Sequence, residues 1–463
     1  MSLVPPFTAS SPLVNLHAPA VTALLCATLH DRTVGVLVGS ALGDAIGLYT
    51  EFLSGAAAAA AYPSRRFILA GGQVTPFKVD LHRASKETGH WTDDTDHALL
   101  LLLAFLHTAN SENNGDDPLP TQADFAARLR VWVTQGFRPL DTMPLGLGRL
   151  VGSIVAIKGF AEVPERVARE YWERTGKRVA PNGSLMRTHP LGLICLFRGE
   201  GEAFEVAAAI SRVTHVDPRC VLACVVGTGL VRTVVRGEVT GEGDIDALLQ
   251  RAVEWYKEEN GRREEEGEWE IDLEELWSHV KPKGGLEDLK LDDQAAIGYV
   301  YKTLGSGVVL LRMAIRRMSV RGGGLLLDRS RLFEDLITDL IMRGGDADTN
   351  ACFAGALLGG YLGYSTLPDH WKHGLKYGEW LLGKADALCR VLGLKDGGYN
   401  GKEDHDTEVQ GGKPALSQGE MEGRWMVLQQ NTFKAMEDAA KAASSNASGL
   451  SWSLPWRSKD KNR

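Results

Sequence analysis

The densest run of hard oxygen donors in this 463-residue chain is Thr92-Asp93-Asp94-Thr95-Asp96, which follows Gly89-His90-Trp91 and leads straight into an apolar stretch. A Thr/Asp cluster ahead of a helix is first an N-cap, because its oxygens accept the unpaired amide hydrogens of the first turn. Capping needs one such side chain, not five. A second segment of the same design, Asp346-Ala347-Asp348-Thr349-Asn350 behind Arg343-Gly344-Gly345, also enters a small-residue, glycine-striped stretch. If the two helix starts face each other, Asp93, Asp94, Asp346 and Asp348 bring four negative charges together, and Glu51 makes a fifth. Like charges in contact repel by several kcal/mol at an effective dielectric of about 20, so such a cluster needs protons or cations. Two divalent ions would offset most of the repulsion. Carboxylate and threonine oxygens are hard ligands, which favours Mg²⁺, Mn²⁺ or Ca²⁺ over zinc or copper.

Further residues admit two readings each. Asn182-Gly183-Ser184 precedes a helical stretch, so its amides either face a phosphate or ribose oxygen or form an ordinary Asn-Gly turn with Ser184 as N-cap. Arg187, one turn on, either binds substrate or holds the motif's own backbone. Asp44 is either a partner of the metal ligands or a capped core aspartate. Glu51, on a short loop after a helix, is either surface charge or a proton acceptor beside the cations.

Helices must position these residues. Apolar side chains recur in blocks of ten to twenty rich in Ala, Leu and Gly, with few strand-like alternations, so the expected fold is all-α, a compact orthogonal multi-helix bundle. Helices are expected at 20–30, 34–49, 95–108, 122–135, 163–174, 185–197, 203–212, 217–235, 295–316, 331–341 and 349–362, with a short one in the alanine run after Gly55. Gly35, Gly39, Gly43 and Gly47 share one helix face, and Gly355, Gly359 and Gly363 share another. Each glycine weakens a helix by about 1 kcal/mol relative to alanine, so the stripes suggest that close packing compensates. The helical domain is expected over 20–395, with a charged, solvated insertion at about 238–290. A C-terminal extension, 396–463, follows, carrying a helix near 418–442 and a mobile tail.

A net charge of −8 and a pI near 5.9 argue against general nucleic-acid or anionic-membrane binding, which needs basic patches. Cys26, Cys195, Cys220, Cys224, Cys352 and Cys389 are too scattered for a disulfide framework, and Cys220/Cys224 lack a second pair at zinc spacing, so no zinc site is expected. The N-terminus lacks a secretory pattern, and Asp44 and Glu51 interrupt the most apolar early stretch. A cytoplasmic or nuclear monomer is expected, and Asn446 should not be glycosylated.

Six segments in order, GVLVGSALGDAIGLYTEF, GHWTDDTDHALLLL, PNGSLMRTHPLGL, THVDPRCVLACVVG, IGYVYKTL and RGGDADTNACFAGALLGGYLG, span residues 35–363 and resemble the ADP-ribosylglycohydrolase family. That family includes the dinitrogenase reductase activating glycohydrolase and the ADP-ribosylarginine and ADP-ribosylserine hydrolases. The resemblance implies two cations, Mg²⁺ or Mn²⁺, held by Thr92, Asp93 and Asp94 from one side and Asp346, Asp348 and Thr349 from the other. It implies catalytic roles for Glu51, Asp93, Asp94 and Asp346, and substrate contacts from Asn182, Gly183, Ser184, His215 and Tyr299. RPLDTMPLGLGRLVGS matches the family's substrate loop only loosely, leaving Asp141, Gly146 and Gly148 as further contacts. The implied substrate is an ADP-ribosylated protein or small molecule, and the implied reaction hydrolysis at the anomeric carbon through an oxocarbenium-like state. Two rivals remain: a phosphohydrolase acting on a nucleotide or phosphorylated ADP-ribose, and a silent ADP-ribose-binding protein of the same fold.

Overall fold

Helix α1 (Ala18–Gly47) and helix α14 (Ala347–Leu362) cross with their glycine stripes in contact. A Cβ on Gly35 would lie 2.2 Å from the Gly359 carbonyl oxygen, one on Gly39 2.5 Å from that of Gly355, and one on Gly43 1.9 Å from that of Ala351. No side chain fits there. As the α1 residue number rises, that of its α14 partner falls, so the helices run antiparallel and Gly47 meets Asp348. The crossing therefore sets the end of α1, with Asp44 and Glu51, against the acidic start of α14.

The computed structural model describes residues 18–109, 119–262, 271–319 and 329–448, and the fold is all-α. Between the crossing partners, and after them, the chain order is α2 (Gly55–Ala61), α3 (Asp93–Thr108), α4 (Gln122–Gln135), α5 (Arg149–Val155), α6 (Pro164–Arg174), α7 (His189–Ile194), α8 (Glu200–Arg212), α9 (Pro218–Arg236), α10 (Glu242–Arg262), α11 (Leu273–Val280), α12 (Val300–Ser319), α13 (Arg329–Ile341), α15 (Asp369–Lys372), α16 (Gly378–Val391) and α17 (Gln418–Ser448). Three isolated antiparallel bridges, Ser54 with Gly344, Phe137 with Thr142 and Pro181 with Tyr299, are the extended pairings among the described residues. Helix α9 packs against α7, α8, α10, α12 and α14 and is buried along almost its whole length. Both α1 from Pro19 and α9 are long and apolar enough to cross a bilayer; in the fold, α9 and residues 34–47 of α1 are core.

Most expected helices form within a few residues of their expected limits, and three differences have local causes. The expected pair 20–30 and 34–49 is the single helix α1, because Asp31-Arg32-Thr33 is polar without breaking the backbone. The expected helix 185–197 shortens to α7 behind a 3₁₀ turn at Asn182–Ser184, since Pro190 has no N–H to donate one turn back and is tolerated only in a helix's first turn, where α7 begins. The helix expected from 295 starts at Val300, behind Gly298.

The described residues divide into two units, those within 18–75 and 88–415, and those within 76–87 and 416–448. In the first, residues 399–407 are tied down by Lys384 on Asp404 (2.7 Å) and by the Gly401 amide on the Ala109 carbonyl (2.9 Å). Within the charged insertion, α10 buries Ile245, Leu248, Leu249, Ala252 and Tyr256 against α8 and α9, and α11 buries Leu276 and Val280 against α12. Its charges sit on the opposite faces, while 263–270 lie outside the described residues, as does the tail beyond 448. In the second unit α17 opens with a capping box, the Ser417 amide donating to Glu420 (2.7 Å) and the Glu420 amide to the Ser417 hydroxyl (3.3 Å). The cysteines are all free, five of them buried and Cys26 half-buried.

Candidate functional site

Three helix ends and one loop converge on a buried carboxylate cluster. The first turn of α3 presents Asp93 and Asp94, Asp346 and Asp348 lie at the start of α14, and Asp44 stands one turn before the end of α1. Glu51 follows on a turn whose backbone is locked to the second acidic motif. The Phe52 amide donates to the Gly345 carbonyl (2.7 Å), and the Gly345 amide returns a bond to the Leu53 carbonyl (2.9 Å). Gly344 and Gly345 both have positive φ, 69° and 75°, and a Cβ on either would strike backbone oxygen at 2.0 Å, which is why this motif opens Gly-Gly.

Asp44 meets its capping reading, across helices. Its carboxylate accepts from the Thr92 amide (3.0 Å), the Thr95 amide (3.1 Å) and the Thr95 hydroxyl (2.6 Å), so it caps α3 from another helix. It also lies in one of two compact donor groups. Asp44, Asp94 and Asp348 offer oxygens within 4.8 Å of one another, as do Glu51, Asp346 and Asp348, so Asp348 is shared. The two threonines of the paired motifs meet on a single atom: Thr92 Oγ1 (3.0 Å) and Thr349 Oγ1 (3.2 Å) both donate to Asp94 Oδ2. The other oxygen, Asp94 Oδ1, is buried without a hydrogen-bond partner. Asp93 lies on the cavity wall, where a Cβ on Gly146 (φ 98°) would come within 2.1 Å of its Oδ1. Asp96 has a structural task, accepting from the indoles of Trp91 (2.8 Å) and Trp132 (2.9 Å).

Electrostatics follow from this crowding. Burial, then the neighbouring Asp44, Asp93 and Asp346 carboxylates, holds the Asp94 acid well above the usual carboxylate range. Burial followed by Glu51 does the same for Asp348 and lifts Asp346 to about 6. Asp44 is also raised to about 6 by burial, against the lowering effect of its hydrogen bonds to Thr95 and Thr92. The cluster thus resists full ionisation unless cations supply the opposing charge, and its all-oxygen donor set suits hard divalent ions.

A cavity of about 430 Å³ opens onto the cluster. Glu51, Asp93, Asp94, Asp346, Asp348 and Thr349 form its acidic side; Asn182, Gly183, His215, Gly146 and Gly148 face it from other segments. Asn182 joins the two sides, its Nδ2 donating to Asp346 Oδ2 (2.8 Å) and Thr303 Oγ1 (2.9 Å). His215 Nε2 is buried without a partner near Gly183, while its Nδ1 pairs with Thr214 Oγ1 (2.7 Å). Burial, reinforced by Arg187 and His97, pushes His215 well below the ordinary histidine range, so the ring is neutral. Arg187 meets neither of its two readings: it lies outside the cavity lining and bonds not its own motif but the Ile210 carbonyl (3.2 Å) and Thr214 (2.8 Å), stacking over Phe125.

Ser184, Tyr299 and Asp141 lie outside the lining. Ser184 is buried against Cys224, Tyr299 donates its hydroxyl to Glu275 (2.8 Å), and Asp141 pairs with Arg138 in the turn closed by Phe137 and Thr142. Conversely, Arg149, Tyr171 and Val179 line the cavity without having been singled out. Arg149 adjoins Gly148 and was within reach of sequence reasoning; Tyr171, on an amphipathic helix, carried no signal.

The family described as ADP-ribosylglycohydrolase matches residues 25–397 of the chain. The chain is 23% identical over 375 residues to the ADP-ribosyl-(dinitrogen reductase) glycohydrolase of Rhodospirillum rubrum, an alignment covering 79% of this chain and 98% of that protein. It is 22% identical over 372 residues to the ADP-ribosylarginine hydrolase Tri1 of Serratia proteamaculans, covering 79% and 81%. A solved structure titled ADP-ribosylglycohydrolase-related protein complex is similar at 24% identity with a TM-score of 0.47, over 79% of this chain and 99% of that one.

Proposed function

Because the chain belongs to the ADP-ribosylglycohydrolase family, we propose that it hydrolyses the glycosidic bond between ADP-ribose and an acceptor, a protein side chain or small molecule, with the help of two divalent cations, Mg²⁺ or Mn²⁺. The observation that carries this reading is the meeting of Thr92 and Thr349, from motifs 257 positions apart by subtraction of their numbers, on one oxygen of Asp94 beneath an open cavity. Asp44, Asp94 and Asp348 would hold one ion and Glu51, Asp346 and Asp348 the other. Bound there, the ions would neutralise the carboxylates, orient the distal ribose hydroxyls and lower the pKa of the attacking water.

The protein's own groups do the rest. Glu51, within the second donor group, is the acceptor of the proton that water loses. Asn182 keeps Asp346 aimed by its side-chain hydrogen bond, and neutral His215 lines the cavity with its unpartnered Nε2 beside Gly183. Gly146 leaves Asp93 Oδ1 uncovered on the cavity wall, where any Cβ would meet it at 2.1 Å. Cleavage breaks the bond from the anomeric carbon to the acceptor heteroatom, which leaves with a proton, while water's oxygen takes its place.

A panel of ADP-ribosylated arginine, serine and small-molecule substrates, each assayed with Mg²⁺ and Mn²⁺, tests the reading. Release of ADP-ribose and free acceptor is expected. Inorganic phosphate or AMP as product would make the protein a phosphohydrolase, and ADP-ribose binding without turnover of any substrate would make it a silent binder.

A further inference from the structure

The charged insertion reaches the substrate side of the cavity through one hydrogen bond. Helix α11 packs closely on α12, where a Cβ on Gly305 would lie 2.5 Å from the His279 carbonyl oxygen, and Arg312 donates to the Val280 carbonyl (3.1 Å). From α11, Glu275 Oε1 accepts the Tyr299 hydroxyl at 2.8 Å. Tyr299 in turn belongs to the short extended pairing that carries Asn182: it bridges Pro181, the Asn182 amide donates to the Gly298 carbonyl (3.0 Å), and the Val300 amide donates to the Ala180 carbonyl (3.1 Å). Arg219 closes the other side, its guanidinium 5.7 Å from the centre of the Tyr299 ring and bonded to Asp217 (2.8 Å).

We propose that Glu275, supplied by the insertion, is a positioning residue: through the Tyr299 hydroxyl it sets the placement of residues 180–183, which present Asn182 and Gly183 to the cavity. Tyr299 thereby acts on substrate binding without lining the site. Two features favour this over a contact that only steadies α11. The helix is already anchored by buried Leu276 and Val280 and by Arg312, so it does not need Glu275. The tyrosine ring, held between Glu275 and Arg219, joins the insertion to the 180–182 pairing through its hydroxyl. A charge-assisted bond is stronger than a neutral one and directional, which suits it to holding a loop in place.

The inference rests on the proposed hydrolase reading only for its kinetic arm. The full-length protein and its variants Glu275→Ala, Glu275→Gln, Tyr299→Phe and the Ala/Phe double are compared, with Glu274→Ala on the same helix as control. Loss of the bond should raise KM for an ADP-ribosylated substrate about tenfold, with kcat changed by less than about threefold. The double variant should be no worse than either single, and Gln, which still accepts the bond, should recover most of the loss. Amide hydrogen exchange of the metal-free, ligand-free protein over 178–186 should quicken in Glu275→Ala and Tyr299→Phe but not in Glu274→Ala. An unchanged KM in a Tyr299→Phe variant that melts as the wild type does, or additive losses in the double, overturns the proposal. If the wild type hydrolyses no ADP-ribosylated substrate, the hydrolase reading fails by itself and the exchange arm decides: unaltered exchange at 178–186 rejects Glu275 as a positioning residue.

Discussion

Five carboxylates, Asp44, Glu51, Asp94, Asp346 and Asp348, share two overlapping groups of oxygens, and a buried cluster of this kind cannot ionise fully without counter-charge. Asp94 is the clearest case, since its Oδ2 is taken by two threonine hydroxyls and its Oδ1 is left buried and bare. Asp94→Asn copies the protonated acid and should leave the metal-free protein as stable as before or more so, while weakening Mn²⁺ binding by about tenfold or more. Asp346→Asn should do the same, and calorimetric titration that finds wild-type affinity in both variants would remove the metal centre from the proposal. Glu51→Gln keeps the side chain's size but cannot accept a proton. Turnover should fall by about 10²-fold or more, with ADP-ribose affinity changed much less. Wild-type turnover at saturating metal would exclude Glu51 as the base.

At the scale of elements, the α1/α14 crossing is the part that positions chemistry. Gly43 has no room for even a methyl group, since its Cβ would sit 1.9 Å from the Ala351 carbonyl oxygen. Alanine would gain about 1 kcal/mol of helix propensity. Forcing the backbones apart costs about 1–3 kcal/mol or more, so the clash should win. Gly43→Ala should therefore lower the melting temperature and also weaken metal binding, because the start of α14 carries Asp346 and Asp348. Gly241→Ala, in open space, is the control. Equal melting curves for Gly43→Ala and the wild type would show that the crossing tolerates separation, and the packing argument would be wrong.

For the whole molecule, the raised carboxylates turn stability into a function of pH and metal. The folded pKa of Asp44 and Asp346 is about 6, above the ordinary 3.8. Their stabilising contribution is complete below the unfolded value and is lost as pH rises through the folded one. Each such rise is worth on the order of 3 kcal/mol. In EDTA the protein should accordingly melt at lower temperature as pH is raised from 5 to 8. Under the proposed metal binding, excess Mg²⁺ or Mn²⁺ should flatten or reverse that trend, because a ligand of the ionised, folded cluster alone stabilises the folded state. A metal-free melting temperature that rises across this range in differential scanning calorimetry would contradict the buried, charge-crowded description of the site.

The chain's local chemistry determined a good deal unaided. Helical periodicity marked the all-α fold, and the paired Thr/Asp helix starts marked the hard-oxygen cluster, because capping, charge density and glycine spacing are properties of adjacent residues. The glycine stripes showed that two helices approach closely, without saying that they approach each other. Only the tertiary structure decided that Asp44 belongs with Asp94 and Asp348, that Asp96 serves two tryptophans, and that Arg149, Tyr171 and Val179 reach the cavity while Ser184 and Tyr299 do not. It also decided that α10 and α11 bury an apolar face beneath their charge, where the composition of the insertion suggested solvated helix. These are contacts between residues up to hundreds of positions apart. They depend on the antiparallel sense and depth of the α1/α14 crossing, which backbone packing sets and no single segment of sequence contains.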